Sequence, residues 1–427
     1  MKITIHRGTH QIGGCITEIE SNGYRIFIDF GEQLPGNESV DTELPVIEGL
    51  TCGDISKSAL FITHYHGDHI GKIGETANDL PIYVGKTALE IYIRLETRLS
   101  YIPDATESDK HKKIIKRTET INVFEALQQI KIGEIIVTLL FTDHSAFDAY
   151  MFIVEAEGKR ILHTGDFRGH GFRKKGLLPA LKKYSRDIDY IISEGSNVLR
   201  SDATILTEQE LQNEFVRKFK NNKYNFVFVS SSNIDRIFAL YHASKKAGRC
   251  FVCDDYQTSI LKIVSKNHKK RSLFYNINYE QKALSFGRFF ELKRNGREAY
   301  CFWGNLKPYL DKHGFCLIIR FNPAFKPLLD EYTKNIDTKI YYSMWKGYID
   351  NKNPAFNNNT AKFFEPYEPE FMHTSGHANI ETLKHVFNTV NPKCGIIPIH
   401  TEAPEKFNEL FPAYKIISAK DGESFTA

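Results

Sequence analysis

The chain has 427 residues, 41% hydrophobic and 25% charged, which suits a globular protein of two domains and excludes a disordered or fibrous one. It contains no run of 18 apolar residues, so no membrane-spanning helix is predicted. The net charge of +4 is uneven: residues 201–370 hold 27 Lys and Arg against 18 Asp and Glu, an excess of nine, so the remainder carries −5. A basic middle fits a segment that binds a polyanion, although Lys-rich surfaces are common without one.

The N-terminal MKITIHRGTH alternates like a strand and lacks the apolar region of a signal peptide. Seven scattered cysteines, an odd number, argue against a disulfide framework and for a reducing, cytoplasmic compartment. ITEIES and YRIFIDFG read as strands, with Gly13–Gly14 as a turn. SALFITH is an apolar run that ends at a cluster of His64, His66, Asp68 and His69. Leu89, Ile93, Leu95 and Leu99 recur near helical spacing and predict a helix over 86–99. EIIVTLLFT, AYMFIVEA, RILHTG and DYIISEG are further strands. Up to about residue 195 the pattern is strand-rich with few helices, which suggests an α/β sandwich.

From about 200 helices and strands alternate. Thr207 and Glu210 form a capping box that opens a helix to about 220. The strand NFVFVS follows, then the helical SSSNIDRIFALYHASKKAGR, which ends at Gly248, and the strand CFVCDD. NPAFNNN at 353–359 reads as a loop. Near 371 the first pattern returns in FMHTSGH, a helix over 379–390, CGIIPIH and KIIS. The predicted organisation is a domain formed by 1–199 and 371–427, with an α/β domain, 200–370, inserted between.

His64, His66, Asp68 and His69 are too closely spaced for a regular strand or helix to aim all four at one point, so a loop is expected there. Histidine nitrogens and carboxylate oxygens bind zinc at about 2.0–2.2 Å. Such a loop suits two ions, His64 and His66 for one, Asp68 and His69 for the other. His144, Asp166 and His400 each follow an apolar strand and are candidates to complete the sites. Asp166 is the carboxylate suited to bridging two cations.

These motifs resemble the metallo-β-lactamase superfamily. Asp29 in FIDFG, the H-x-H-x-D-H run, His144 and Asp166 stand at its first four motif positions. The resemblance implies an αββα sandwich with the site at its edge, and an Asp29 that shapes the metal loop instead of binding metal. Glu194 in IISEGSN, His377 in HTSGHA and His400 in IIPIHTE resemble the three extra motifs of the β-CASP nucleases, whose hallmark is an inserted domain. The spelling of these motifs, and VFVSSSNIDRIFALYHASKKAGR, are most like ribonuclease J-type RNA-processing enzymes. Full-length members carry a further C-terminal domain; this sequence runs to the last sandwich strand.

The resemblance implies a ribonuclease with two Zn2+ ions, Mn2+ being an alternative, that hydrolyses RNA phosphodiester bonds through a metal-bound hydroxide. Catalysis would rest on Asp68, on His377 as general acid and on Glu194, which would orient His377. A histidine at the position of His400 goes with RNA substrates in that family. Ser231, Ser232, Asn233, Ser375 and Gly376 are assigned to phosphate binding, with helix capping an equal alternative for 231–233. The run KNHKKR at 266–271 could contact phosphates or be a solvated helix end. Cys250 and Cys253 lie in an apolar strand without a partner pair and read as core. The expected partner is single-stranded RNA, with no membrane, and homodimers occur in the family. The sequence leaves endo- and 5′→3′ exonucleolytic modes open. The competing readings are a DNA nuclease of the same family and a small-molecule hydrolase acting on a lactone or lactam.

Overall fold

The computed structural model describes residues 1–34, 46–200, 205–267 and 303–427, and the backbone of three short strands between 284 and 299. The chain divides into two compact units, Met1–Ile205 with Gly376–Ala427, and Leu206–Ser375. The divisions lie a few residues beyond the changes of texture at 200 and 371. Glu370–Phe371 pairs with a strand of the second unit, which carries that unit past 371.

In the first unit, β1 (Lys2–Arg7), β2 (Ile16–Ser21), β3 (Tyr24–Ile28), β4 (Ser58–Phe61), β5 (Ile82–Gly85) and β6 (Asn122–Phe124) form one sheet in that order. The strand β21 (Glu423–Thr426) lies outside β1. A second sheet runs β20 (Gly395–Ile399), β11 (Tyr190–Glu194), β10 (Lys159–His163), β9 (Tyr150–Ala156), β8 (Ile135–Phe141) and β7 (Gln129–Ile132). Strand β9 shows how the layers are built. Its Phe152 and Val154 enter a core shared with Ile3, Ile26 and Phe61 of the first sheet. Its Met151 and Ile153 point the other way, into a core with Leu177, Leu181, Val386 and Phe387. Those last residues belong to helices Lys174–Tyr184 and Ile380–Val390. Helix Lys86–Leu99 contacts β5 and β6, and helix Ala105–Thr118 contacts that helix. The unit is thus an αββα sandwich. Each large apolar side chain buried in it contributes about 1.5–3 kcal/mol.

Strand direction places the polar residues. Strands β10, β11 and β20 are parallel. Strand β9 is antiparallel to both β8 and β10, so β8 runs with β10. The carboxyl ends of β8, β10, β11 and β20 therefore share one edge. His144, Asp166, Glu194 and His400 lie at or just past these four ends. In the other sheet β3 and β4 are parallel, and Asp29 and His64 lie just past their carboxyl ends.

Several local features depart from the sequence reading. Gly67–Ile70 forms a single helical turn where a loop is expected, so Asp68 and His69 project from a helix end. KIIS supplies only an isolated bridge, Ile416 to Ile396. Helices Ala105–Thr118 and Lys174–Tyr184 are hidden in the sequence, the first by its polar ATESDKHKK opening and the second by Pro179. The loop at 353–359 gives way to a helix at Asn358, capped by the Asn357 side chain.

The second unit is built on a parallel sheet in the order β14 (Leu284–Phe286), β13 (Cys250–Asp254), β17 (Phe315–Ile319), β12 (Tyr224–Phe228), β18 (Thr338–Tyr342) and β19 (Glu370–Phe371). Strands β15 (Leu292–Arg294) and β16 (Arg297–Ala299) form a separate antiparallel pair. The aromatic stretch KIYYSMWKGYID is largely absorbed by this fold: Ile340, Tyr341 and Tyr342 are buried, and Trp345 meets Tyr348 edge-on at 5.3 Å. Cys253 is buried in β13 and Cys250 half-buried at its start, as core residues; burial pushes the Cys253 thiol up to about 12. Among the described residues no helix is long and apolar enough to cross a membrane.

A charged pair lies inside this second unit. Arg236 and Glu208 are both fully buried, and the guanidinium grips the carboxylate through two hydrogen bonds of 3.0 Å. Its remaining donors reach the carbonyls of Ser343 and Thr374, each at 3.3 Å. Removing one partner strands the other charge away from water. Arg236→Met is therefore expected to destabilise the unit by about 3–5 kcal/mol. Hydrogen exchange during denaturant titration should show residues 206–375 opening first in the variant. Unchanged stability would mean that the pair contributes nothing net.

Candidate metal centre

The first unit gathers nine of the sequence-selected side chains at the sheet edge: His64, His66, Asp68, His69, His144, Asp166, Glu194, His377 and His400. Three imidazoles converge first. His66 Nδ1 lies 3.1 Å from His64 Nε2 and 3.3 Å from His144 Nε2. The other nitrogens of two of these rings are already engaged. His64 Nδ1 is 3.1 Å from Thr63 Oγ1, and His144 Nδ1–H donates to the Gly376 carbonyl at 2.7 Å. That donation leaves His144 Nε2 bare. Burial and the neighbouring imidazoles hold His64 well below its usual range. Burial takes His66 down to about 4 and also lowers His144 well below its usual value. All three rings are thus neutral near pH 7, the form that ligates a metal.

A second group is made of Asp68, His69 and His400. His69 Nε2 lies 3.6 Å from Asp68 Oδ2, and His400 Nε2 lies 3.4 Å from the same oxygen. Burial alone would raise Asp68, but His69 and His400 hold it down to about 2. Asp166 stands between the two groups. Its Oδ2 is 3.1 Å from His69 Nε2 and 3.9 Å from His64 Nε2, and its Oδ1 is 3.7 Å from His400 Nε2. Asp166 Oδ1 is buried and accepts no hydrogen bond from the described residues. A buried carboxylate oxygen that accepts no hydrogen bond is costly unless a cation lies beside it. The donor set of imidazole and carboxylate suits zinc or manganese. The side chains present therefore fit a pair of metal ions.

The surrounding residues fix these side chains. Asp29 accepts from the Thr63 amide at 2.7 Å, from Thr63 Oγ1 at 2.8 Å and from His69 Nδ1 at 2.8 Å. It spans the loop after β4 and the helical turn that bears His69. Burial opposes charge on His69, but Asp166, Asp68 and Asp29 together raise its pKa well above the usual value. Asp29 (φ 63°) and His400 (φ 50°) both lie in the left-handed region, a conformation that persists where the surroundings enforce it. At Gly31 a Cβ would fall 1.8 Å from the Asp68 carbonyl oxygen, so only glycine lets this segment pass the metal-loop turn.

His377 lies at the rim, a quarter exposed. Its Nδ1 is 3.3 Å from Glu194 Oε2 and 3.5 Å from Asp166 Oδ2. Burial opposes charge on His377, yet Glu194 and Asp166 raise it to about 9. Glu194 is itself fixed: Oε1 accepts from the amides of Phe167 and Ala378, and Oε2 from the amide and hydroxyl of Ser196. Ser196 and Asn197 were overlooked in the sequence. Asn197 Nδ2 donates to the carbonyls of His377 and Ala378, each at 3.1 Å. The only available signal was their place two and three residues after Glu194.

The residues assigned to phosphate divide differently. Gly376 joins the metal centre, but through its carbonyl. Ser375 and Ser231–Asn233 belong to the other unit. There Asn233 Oδ1 accepts from the Arg236 amide at 3.1 Å and caps helix Ile234–Lys246. Ser230 and Ser232 hydroxyls are 2.8 Å apart, and Ser231 lines a cavity of about 350 Å3 with Arg320, Phe321 and Tyr348. In the basic run at 266–271, Lys266 and Asn267 end helix Asp255–Asn267, and residues 268–271 lie outside the described residues.

The family model described as the metallo-beta-lactamase superfamily matches residues 17–217. Ribonuclease J of Helicobacter pylori is 27% identical over 247 residues, 56% of this chain and 34% of that protein. The chain thus spans about a third of the length of the first curated relatives it matches. Ribonuclease J of Mycoplasma genitalium is 21% identical over 429 residues, 94% of this chain and 68% of that one. A crystal structure of a protein of unknown function from Enterococcus faecalis V583 superposes with a TM-score of 0.75 at 19% identity, covering 99% of each chain, and shares the fold. Residues 17–217 thus match the metallo-beta-lactamase superfamily, and the chain is similar in sequence to the ribonuclease J proteins.

Proposed function

We propose that the protein is a metal-dependent ribonuclease that hydrolyses RNA phosphodiester bonds at a two-zinc centre. The observation that carries this reading is the meeting of two ligand groups, His64/His66/His144 and Asp68/His69/His400, across the single carboxylate of Asp166. Bound cations would supply Lewis-acid activation of water and charge neutralisation at the phosphate. The chain's own groups have separate tasks. Asp68 and Asp166 supply the negative charge that retains the cations. His377 carries the proton for the leaving oxygen, on the exposed side of the cluster. Glu194 holds the His377 ring through Nδ1, which leaves Nε2 to face the substrate.

Three observations favour RNA over a small carbonyl substrate. The relatives are named ribonuclease J. The segment 201–370 has an excess of nine basic residues, which suits a polyanion. A proton donor held like His377 serves an oxygen leaving group. We further propose that residues 206–375 are the β-CASP insert, and that Ser231, Ser232 and Ser375 contribute to binding phosphates of single-stranded RNA, in endo- or 5′→3′ exonucleolytic cleavage. In this reading the enzyme works in the cytoplasm.

Labelled single-stranded RNA and DNA of one sequence, with His400→Ala as control, test the proposal. The native chain is expected to cut RNA only, and His400→Ala to lose cleavage and bind one ion more weakly. Cleavage of DNA alone, or full activity with two ions in His400→Ala, would reject it.

The pH dependence follows from the Glu194–His377 pair. The raised pKa of His377 keeps its proton below about 9, and the proton is lost as pH rises through that value. Part of the rise comes from Asp166, whose charge a cation would offset. The loaded site is therefore expected to titrate lower. Glu194→Gln removes the other part, so the alkaline limb of the kcat profile is expected to move to lower pH. An unmoved limb would separate Glu194 from the general acid.

A further inference from the structure

The Ser196 hydroxyl is bonded to more of the site than any role so far requires. Ser196 is buried, and its Oγ has four polar neighbours in the site: Glu194 Oε2 at 2.8 Å, His400 Nδ1 at 2.8 Å, His377 Nδ1 at 3.2 Å and the His400 carbonyl oxygen at 3.3 Å. A serine hydroxyl has one proton to give and two lone pairs to receive. The carboxylate and the carbonyl can both only accept, and the single proton goes to Glu194, the charged and nearer of the two. Both lone pairs then face imidazole Nδ1 atoms, and each ring can bond there only as an Nδ1–H donor.

We propose that Ser196 is a positioning residue that locks His400 as the Nδ1–H form, so that bare Nε2 is presented to the metal centre. His400 Nε2 points at Asp68 Oδ2, 3.4 Å away, and Asp166 Oδ1, 3.7 Å away, where the second ion of the proposed centre would be held. The inference rests on the two-metal reading of the site. It adds that one hydroxyl ties the candidate ligand His400 to the proton donor His377 and to Glu194, which orients it. Other bonds fix the same corner. His400, in its left-handed conformation, donates its amide to the Gly8 carbonyl at 2.8 Å, and its own carbonyl accepts from the Gly195 amide at 3.4 Å. With the backbone held from both sides, ring rotation and tautomer are the freedoms left, and the Ser196 bond restricts both.

The lock can be read without activity. In protein labelled with 15N at histidine, long-range 15N–1H correlations distinguish a protonated Nδ1 from a protonated Nε2. Zinc competition against a chelator measures each binding step. The native chain, stripped or loaded, is expected to show Nδ1–H at His400. Ser196→Ala is expected to lose that preference and to bind one of the two ions about 10–100-fold more weakly. Ser196→Thr keeps the hydroxyl and should restore both properties. Ser196→Ala with native zinc affinity at both steps and an unchanged His400 spectrum would overturn the proposal. So would Nε2–H as the sole protonated nitrogen at His400 in the native protein, a result that needs no folded variant. A native chain that binds no pair of ions would instead reject the two-metal reading, and the His400 spectrum of stripped protein would still decide the tautomer.

Discussion

The structure of the first unit turns on an electrostatic constraint. Six histidines and three carboxylates are crowded into one edge of a sandwich, most of them out of contact with water. Three of the imidazoles are driven to the neutral form by burial. The carboxylates beside them stay ionised because His69, His377 and His400 face them. The bare nitrogens of His64, His66 and His144, converging at 3.1–3.3 Å, repel one another unless a cation lies between them. The fold holds this arrangement because the strands beneath are apolar on both faces and fix the loops above. A core that stabilises the protein by many small burial terms can carry a locally unfavourable cluster.

The supporting bonds are spread over distant parts of the chain. Asp29, from the first sheet, holds His69. Gly376, from the returning segment, holds His144. Ser196 and Asn197, after β11, hold the segments of His400 and His377. His69, His144, His377 and His400 are thus each aimed by residues far from them in sequence, so the site is an outcome of tertiary packing and not of any one motif. Asp29 and His400, both at positive φ, sit where that packing demands a backbone path that ordinary residues avoid.

Much of this was legible in the sequence for physical reasons. Apolar runs that end in His or Asp mark strand ends, and the placement of His64, His144, Asp166 and His400 follows from that rule. The helix over 86–99 and the capping box at Thr207 were visible through spacing and side-chain chemistry. Other parts were not. Helix Ala105–Thr118 presents a mostly polar surface, so its periodicity is faint. The single turn at Gly67–Ile70 is too short to leave a pattern. Ser196 is unreadable because its importance depends on His377 and His400, which lie roughly 180 and 200 residues away and approach it only in the folded chain. Asn233 illustrates the opposite difficulty, since a residue that suits an anion equally suits a helix cap, and the cap is what the fold makes of it.

The central claim is that the converging side chains hold two divalent cations and not one. Equilibrium dialysis of the metal-stripped chain against zinc or manganese, with metal content read by plasma mass spectrometry, addresses it directly. The account predicts two ions per chain, falling to one when His66 or His69 is replaced by alanine. A single ion in the native chain, or two ions retained in both variants, would contradict it.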